Sequence, residues 1–221
     1  MHRTAGAAGD ARRCAGSMVM FRCIIVLLMI LKSSVVGATE CWFEEGNDVG
    51  CSITVQSVTL RIEPTGSVTA PGKAPQKLPL EKDFYIERVT MEPVGPLLLV
   101  VAEVTDSDYG AGLVALVDPV KLTLKWSAKF PAFNISPPLI TAKAFYIGGI
   151  GTIAKYDSVS GRVVWIARGL YERETGAFNA FQRPRMEGCI VRFVENKTSF
   201  AKYRGVREIR VDDASGRIVS K

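Results

Sequence analysis

The sequence predicts an all-β repeat protein, and three observations carry that prediction. The first is a recurring unit in which an apolar strand ends on an aspartate, a turn follows, and a second apolar strand ends on an aromatic residue. It is clearest in Gly151-Thr-Ile-Ala-Lys-Tyr-Asp-Ser-Val-Ser-Gly-Arg-Val-Val-Trp165. Relatives lie upstream, in Leu113-Val-Ala-Leu-Val-Asp118 with Leu122-Thr-Leu-Lys-Trp126, and downstream, in Ile209-Arg-Val-Asp212-Asp-Ala-Ser-Gly216-Arg-Ile-Val-Ser220. The second observation is the spacing: Asp118 to Asp157 and Trp126 to Trp165 are both 39 residues apart. The third is that strand-type patterns dominate after residue 38, with no helical periodicity in that part of the chain.

The first 38 residues are set apart. Arg12, Arg13 and Arg22 precede or enter a short apolar run over residues 23–31, and Val36-Gly37-Ala38 supplies small residues at a cleavage position. This is the pattern of a secretory signal peptide. The run is shorter than the roughly 20 residues of a membrane span, so cleavage near Ala38 is expected rather than a stable anchor. Met18 or Met20 would begin a more ordinary leader. Thr39 and Glu40 before Cys41 do not make a bacterial lipid-attachment site.

Setting the leader aside changes the charge reading. The whole chain carries 28 basic and 22 acidic residues, a formal charge of +6. Five of the basic residues and one acidic residue lie in the leader, which leaves +2. A balance near zero does not call for nucleic acid or an anionic surface as a partner. The single histidine, His2, lies in the leader. The rest of the chain therefore has no means of building a Ser-His-Asp or Cys-His pair, or a histidine-ligated metal site.

Along the remaining chain, residues 39–51 read as an irregular segment. Cys41 and Cys51 either close a disulfide across it, in an oxidising compartment, or remain thiols. Residues 52–62 alternate as a strand, and 63–66 make a turn. Residues 67–79, with Pro71, Gly72, Pro75 and Pro79, read as a linker. Residues 39–83 are thus an N-terminal strand and linker, and 84–221 hold the repeats. Residues 84–91 alternate again, and 97–104 form a continuous apolar strand of the doubly buried type. Strands follow at 113–117 and 122–126, and the next unit places them at 139–140, 144–148, 152–156 and 163–167. In the last unit, 189–194 pairs with 206–211 across a polar loop containing Asn196, Lys197 and Lys202. Cys189 reads as a small buried hydrophobe. A period near 40 with about four strands per unit is the signature of a β-propeller blade. The length suits an array of three to four four-stranded blades. They form either a small ring closed by residues 52–62 or an incomplete ring completed by another chain.

The form of the unit resembles the PQQ-like (pyrroloquinoline quinone-like) repeat. Residues 136–165 match in all four segments: Ser-Pro-Pro-Leu-Ile, Phe-Tyr-Ile-Gly-Gly, Ile-Ala-Lys-Tyr-Asp and Ser-Gly-Arg-Val-Val-Trp. The unit ending at Trp126 has Leu122 and Thr123 in place of the Ser-Gly turn, and the last unit has Ser220 in place of tryptophan. The resemblance implies structural duties for Asp118, Trp126, Asp157, Gly161, Trp165, Asp212 and Gly216. The aspartates cap turns, the glycines supply positive φ, and the tryptophans pack between neighbouring blades. It also implies two branches of function. PQQ-dependent dehydrogenases use a vicinal cysteine pair, an aspartate base and calcium, and no such set maps onto this chain. The other branch holds non-catalytic scaffolds, such as the lipoprotein of the outer-membrane barrel-assembly machinery.

The remaining candidates are sparse. Asp106 and Asp108 alternate before Gly110 as calcium ligands would, but a plain hairpin turn accounts for the same residues. Glu172, Glu174 and Asp157 read as a solvated acidic group. Asn134 and Asn196 begin glycosylation acceptor patterns. The expectation is a secreted or periplasmic, non-catalytic scaffold without cofactor, whose partners are proteins or further copies closing a ring. The alternative is a degenerate or partner-completed fragment of a quinoprotein dehydrogenase. N-terminal sequencing of the exported product is expected to begin at Thr39; a product that retains residues 1–38 would contradict the leader reading.

Overall fold

The computed structural model describes residues 38–44, 49–106, 109–170, 180–196 and 206–220. These residues form four antiparallel sheets and no helix. The first sheet holds β2 (Cys51–Val55), β3 (Val58–Ile62), β4 (Ser67–Thr69) and β5 (Gln76–Lys77). The second has five strands: β1 (Thr39–Trp42) pairs with β6 (Tyr85–Val94), followed by β7 (Leu97–Thr105), β8 (Gly110–Asp118) and β9 (Thr123–Phe130). The third runs β10 (Leu139–Ile140), β11 (Ala144–Gly149), β12 (Thr152–Asp157) and β13 (Val163–Ala167). The fourth runs β14 (Arg185–Glu187), β15 (Ile190–Val194), β16 (Glu208–Asp212) and β17 (Ile218–Ser220). Four meander sheets in sequence make an incomplete propeller-like array.

Three expectations are corrected. Residues 52–62 are not one strand but a hairpin. The apolar positions Ile53 and Val55 resume at Val58, Leu60 and Ile62, a one-residue slip of phase at Gln56-Ser57. Both turn residues take positive φ, 50° and 66°, a geometry usually signalled by Asn-Gly. The linker over 67–79 instead supplies β4 and β5, which complete the first sheet. The irregular start instead supplies β1, paired with β6 from Thr39↔Met91 to Trp42↔Arg88.

The sheets stack face to face in chain order, because their strands are apolar on the faces that meet. Ile53, Leu60 and Ile62 of the first sheet join Met91, Leu98, Val100 and Ala115 of the second in one buried cluster. On the opposite face of the second sheet, Leu99, Val101, Val114 and Leu116 meet Phe145, Ile147, Ala154 and Tyr156 of the third. Tyr146, Ile153 and Trp165 then meet Val191, Phe193, Ile209 and Val211 of the fourth. The continuous apolar run of β7 follows from this arrangement, since both of its faces are core.

The repeat is exact at the level of hydrogen-bonded register. Cross-strand partners form the rows Glu92, Leu99, Leu116 and Trp126 in the second sheet and Leu139, Tyr146, Lys155 and Trp165 in the third. The fourth sheet has Arg185, Arg192, Arg210 and Ser220 in the same places. Each of these sheets carries a bulge at one equivalent step, Leu116/Val117, Lys155/Tyr156 and Arg210/Val211, and the second sheet has a further one at Ile86/Arg88. Ser220 thus occupies the tryptophan position.

Both end faces of the stack carry polar pairs. On the first sheet, Ser52 and Arg61, and Thr54 and Thr59, are exposed cross-strand pairs, with the two threonine hydroxyls 2.9 Å apart. On the fourth, Arg192 bonds to both Glu187 and Glu208 across the sheet. Ile190 and Val194 lie half-buried on the same outward face as Arg192, so that face is mixed rather than wholly polar.

The indole of one sheet sits on the turn of the next. A Cβ at Gly161 would lie 2.5 Å from the Trp126 ring, and a Cβ at Gly216 would lie 2.5 Å from that of Trp165. Both glycines also have positive φ, 68° and 71°. Gly161→Ala and Gly216→Ala therefore combine a backbone penalty with an overpacked contact, and each should cost about 2–4 kcal/mol in urea unfolding. Gly188 has φ of 61° but open space around it, so Gly188→Ala should cost only about 1 kcal/mol. Equal costs at the three positions would contradict the packing role.

Candidate functional site

The residues singled out by the repeat are brought together pairwise at sheet boundaries. Asp157 Oδ1 accepts from Val159 N at 3.2 Å, and from Ser160 N and Ser160 Oγ, both at 2.7 Å. Asp212 repeats this with Ser215 N at 2.9 Å and Ser215 Oγ at 2.6 Å. Asp118 accepts from Lys121 N at 2.9 Å and pairs with Lys125 at 3.3 Å. In the turn after Asp118, Leu122 takes the glycine's place at φ 51° and buries its side chain against the first sheet. That turn faces no tryptophan from the sheet before it, so a side chain fits there.

All three carboxyls are held below the ordinary aspartate range. The largest cause is the Ser160 hydroxyl for Asp157, the Ser215 hydroxyl for Asp212 and the Lys121 amide for Asp118. Each is committed to its own turn.

The two tryptophans differ. Trp165 Nε1 donates to Asp213 O at 2.9 Å, whereas Trp126 Nε1 is buried with no acceptor among the described residues. Trp126 stacks instead on Phe145, with ring centroids 5.3 Å apart.

Asp213 anchors a polar network lining a cleft. Lys155 Nζ donates to Asp213 Oδ1 at 2.7 Å and to its carbonyl at 3.0 Å. The Tyr146 hydroxyl donates to the same Oδ1 at 2.7 Å. These groups line an open cleft of about 510 Å³ between the third and fourth sheets, with Thr141, Met186 and Gly188. Burial, and then the bond to the Asp213 carboxylate, pushes the Tyr146 hydroxyl well above its ordinary value. It therefore stays protonated at neutral pH and serves as a donor, not a base. The cleft can hold a polar ligand by hydrogen bonds.

Three buried glutamates were not signalled by the repeat: Glu92, Glu103 and Glu195, with relative exposures of 8%, 5% and 0%. Each is met by an arginine. Arg183 reaches Glu92 at 2.5 and 2.9 Å and also donates to Pro138 O at 3.0 Å, tying together the second, third and fourth sheets. Arg88 bonds to Glu103 and to Ile135 O. Arg207 grips Glu195 through Nε at 3.1 Å and donates to Leu170 O at 2.7 Å. The available signal was a charge set beside or inside an apolar strand, as at Glu103 in β7.

The other candidates are dispersed. Asp106 Oδ1 accepts from Tyr109 N at 2.8 Å, the contact of a hairpin turn. Asp108, Glu172 and Glu174 lie outside the described residues, as does most of the Asn196 acceptor pattern. Among the described residues no group of three or more His, Cys, Asp or Glu is placed to hold a metal ion. Asn134 has φ of 51°, and Ser136 of the same pattern is buried, its Oγ accepting from Gly148 N at 3.0 Å. Cys189 is not a buried free thiol: it is half-buried and disulfide-bonded. Cys41 and Cys51 form a disulfide, with Cα atoms 5.9 Å apart.

No family model and no curated protein matches the chain. Among solved structures, the chain is similar to the quinohemoprotein alcohol dehydrogenase ADHIIG of Pseudomonas putida HK5, at 11% identity and a TM-score of 0.46. That likeness covers 84% of this chain and 35% of the dehydrogenase, so the chain spans about a third of its length. A second is Kluyveromyces lactis Hsv2, at 11% identity and a TM-score of 0.33, covering 77% of this chain and 63% of that one. A third is the computationally designed Ika8 protein, at 8% identity and a TM-score of 0.26, covering 80% and 87%.

Two outcomes follow from this geometry. Arg207→Met removes the arginine that grips the buried Glu195 carboxylate and should cost about 3–5 kcal/mol in unfolding, with part recovered in the double variant Arg207→Met/Glu195→Gln. Full additivity in that cycle would contradict the pairing. For the turn aspartates, a depressed folded pKa means that their stabilisation is present above the unfolded aspartate value and lost as pH falls through the folded one. Asp157→Asn and Asp212→Asn should therefore flatten the acid limb of a stability–pH curve below about pH 4, and an unchanged limb would contradict the capping role.

Proposed function

We propose that this chain is a non-catalytic, extracytoplasmic propeller-type repeat protein that acts as a protein-interaction scaffold. The observation that carries the reading is the outward face of the fourth sheet. Where the second and third sheets place rows that pack on a neighbour, this sheet presents Arg185, Arg192, Arg210 and Ser220, with Glu187 and Glu208 on the same face paired to Arg192 and Arg210. A charged, open sheet face suits a polar protein surface, and interface arginines contribute bidentate bonds to carboxylates. The aspartates, glycines and tryptophans of the repeat support the non-catalytic reading, since each is occupied by turn or boundary packing. The leader pattern and the Cys41–Cys51 disulfide support export.

The test is affinity capture from envelope or secreted fractions with the full chain and with Arg185→Glu/Arg210→Glu. A protein partner retained by the first and lost from the second is expected. In parallel, titration with pyrroloquinoline quinone and calcium should leave the quinone absorbance unchanged. A saturable spectral change with dehydrogenase activity, and no partner on the arginine face, would overturn the scaffold reading.

A further inference from the structure

The second sheet has a strand that the others lack. Its inner strand β6 is ten residues long, against two for β10 and three for β14. A long unpaired edge of this kind invites strand addition, and β1 covers it. Among the described residues, no other sheet carries a fifth strand.

β1 is short and lightly held. Its four residues alternate between half-buried and exposed, and Trp42 is 60% exposed. Three contacts fix it. The Trp42 ring lies under the Arg88 guanidinium at 4.8 Å, and Glu40 pairs with Arg88 at 3.3 Å. Phe43, just after the strand, is buried in the first core cluster and donates its amide to Glu87 O at 2.8 Å. The covalent hold is the disulfide from Cys41 to Cys51, the first residue of β2. Isolated four-residue pairings are marginal in water, so the disulfide keeps β1 at a high effective concentration over the edge.

We propose that the β6 edge over Arg88–Met91 is a strand-addition site, that β1 is its tethered occupant, and that the Cys41–Cys51 disulfide controls whether β1 can exchange. The segment the site accepts is extended, with a carboxylate and an aromatic two residues later, both read by Arg88. Release requires a dithiol reductant. Its thiolate attacks Cys41 Sγ, because Cys41 is half-buried while Cys51 is 3% exposed. The sulfur–sulfur bond breaks and the Cys51 thiolate takes up a proton. The second thiol of the reductant then displaces Cys41 as a thiol and closes its own disulfide. The inference does not rest on the scaffold reading, because it concerns an occupant supplied by the chain itself.

The experiment combines amide exchange with peptide binding on the full chain. On reduction and alkylation, exchange at residues 39–42 and 87–91 should rise about 100-fold, the scale of a lost short-loop cross-link, while β11 and β12 stay protected. A fluorescent synthetic copy of residues 38–43 with Cys41→Ser should then bind the reduced protein saturably and the oxidised protein not at all. The same peptide with Glu40→Ala and Trp42→Ala should bind more weakly. The variant Cys41→Ser/Cys51→Ser should behave as the reduced protein, and if it does not fold, reduced wild type carries the test. Unchanged exchange on reduction, equal peptide binding in both states, or loss of protection in every sheet would each overturn the proposal.

Discussion

The structure depends on one repeated contact: an indole from one sheet lying on the capped turn of the next. The contact has four requirements. The aspartate must accept the turn amides so that the turn closes. The residue four positions on must have positive φ. It must also lack a Cβ, since the ring approaches to 2.5 Å of where that atom would stand. Finally, the outer strand of the preceding sheet must carry a large flat side chain, as β9 does at Trp126 and β13 at Trp165. Trp126 with Gly161, and Trp165 with Gly216, satisfy all four, and the apolar clusters between sheets follow from the alignment these contacts impose.

The ends of the array show the same rule by departure from it. Leu122 replaces the glycine where no indole arrives, and Ser220 replaces the tryptophan at the last outer strand. The row behind Ser220 changes with it, from Leu99 and Leu116 in the second sheet to Arg192 and Arg210 in the fourth. The outer faces of the first and fourth sheets carry polar pairs, Thr54 with Thr59 on one and Arg192 with Glu187 and Glu208 on the other.

The repeat was legible because it is local. Asp157, Gly161 and Trp165 lie within nine residues, and their chemistry is that of a turn and its flanking strand. The first sheet was harder to read. Its hairpin turns on Gln56-Ser57, neither residue of the usual left-handed types, and β5 is two residues of Gln-Lys. The pairing of β1 with β6 and the clasp of Arg183 on Glu92 join residues about 50 and 91 apart. No spacing rule specifies such partners; they are chosen by which sheets meet. The cleft around Asp213 was hidden for the same reason, since Tyr146, Lys155 and Asp213 converge only once the third and fourth sheets are stacked.

A double-mutant cycle on Trp165 and Gly216 tests the central contact most directly. With Trp165 in place, Gly216→Ala meets both the backbone penalty and the indole. With Trp165→Ala, only the backbone penalty remains. The cost of Gly216→Ala in urea unfolding should therefore fall from about 2–4 kcal/mol to about 1 kcal/mol, a coupling well above the additivity error. Equal costs in the two backgrounds would show that the indole does not rest on that turn and would contradict the account.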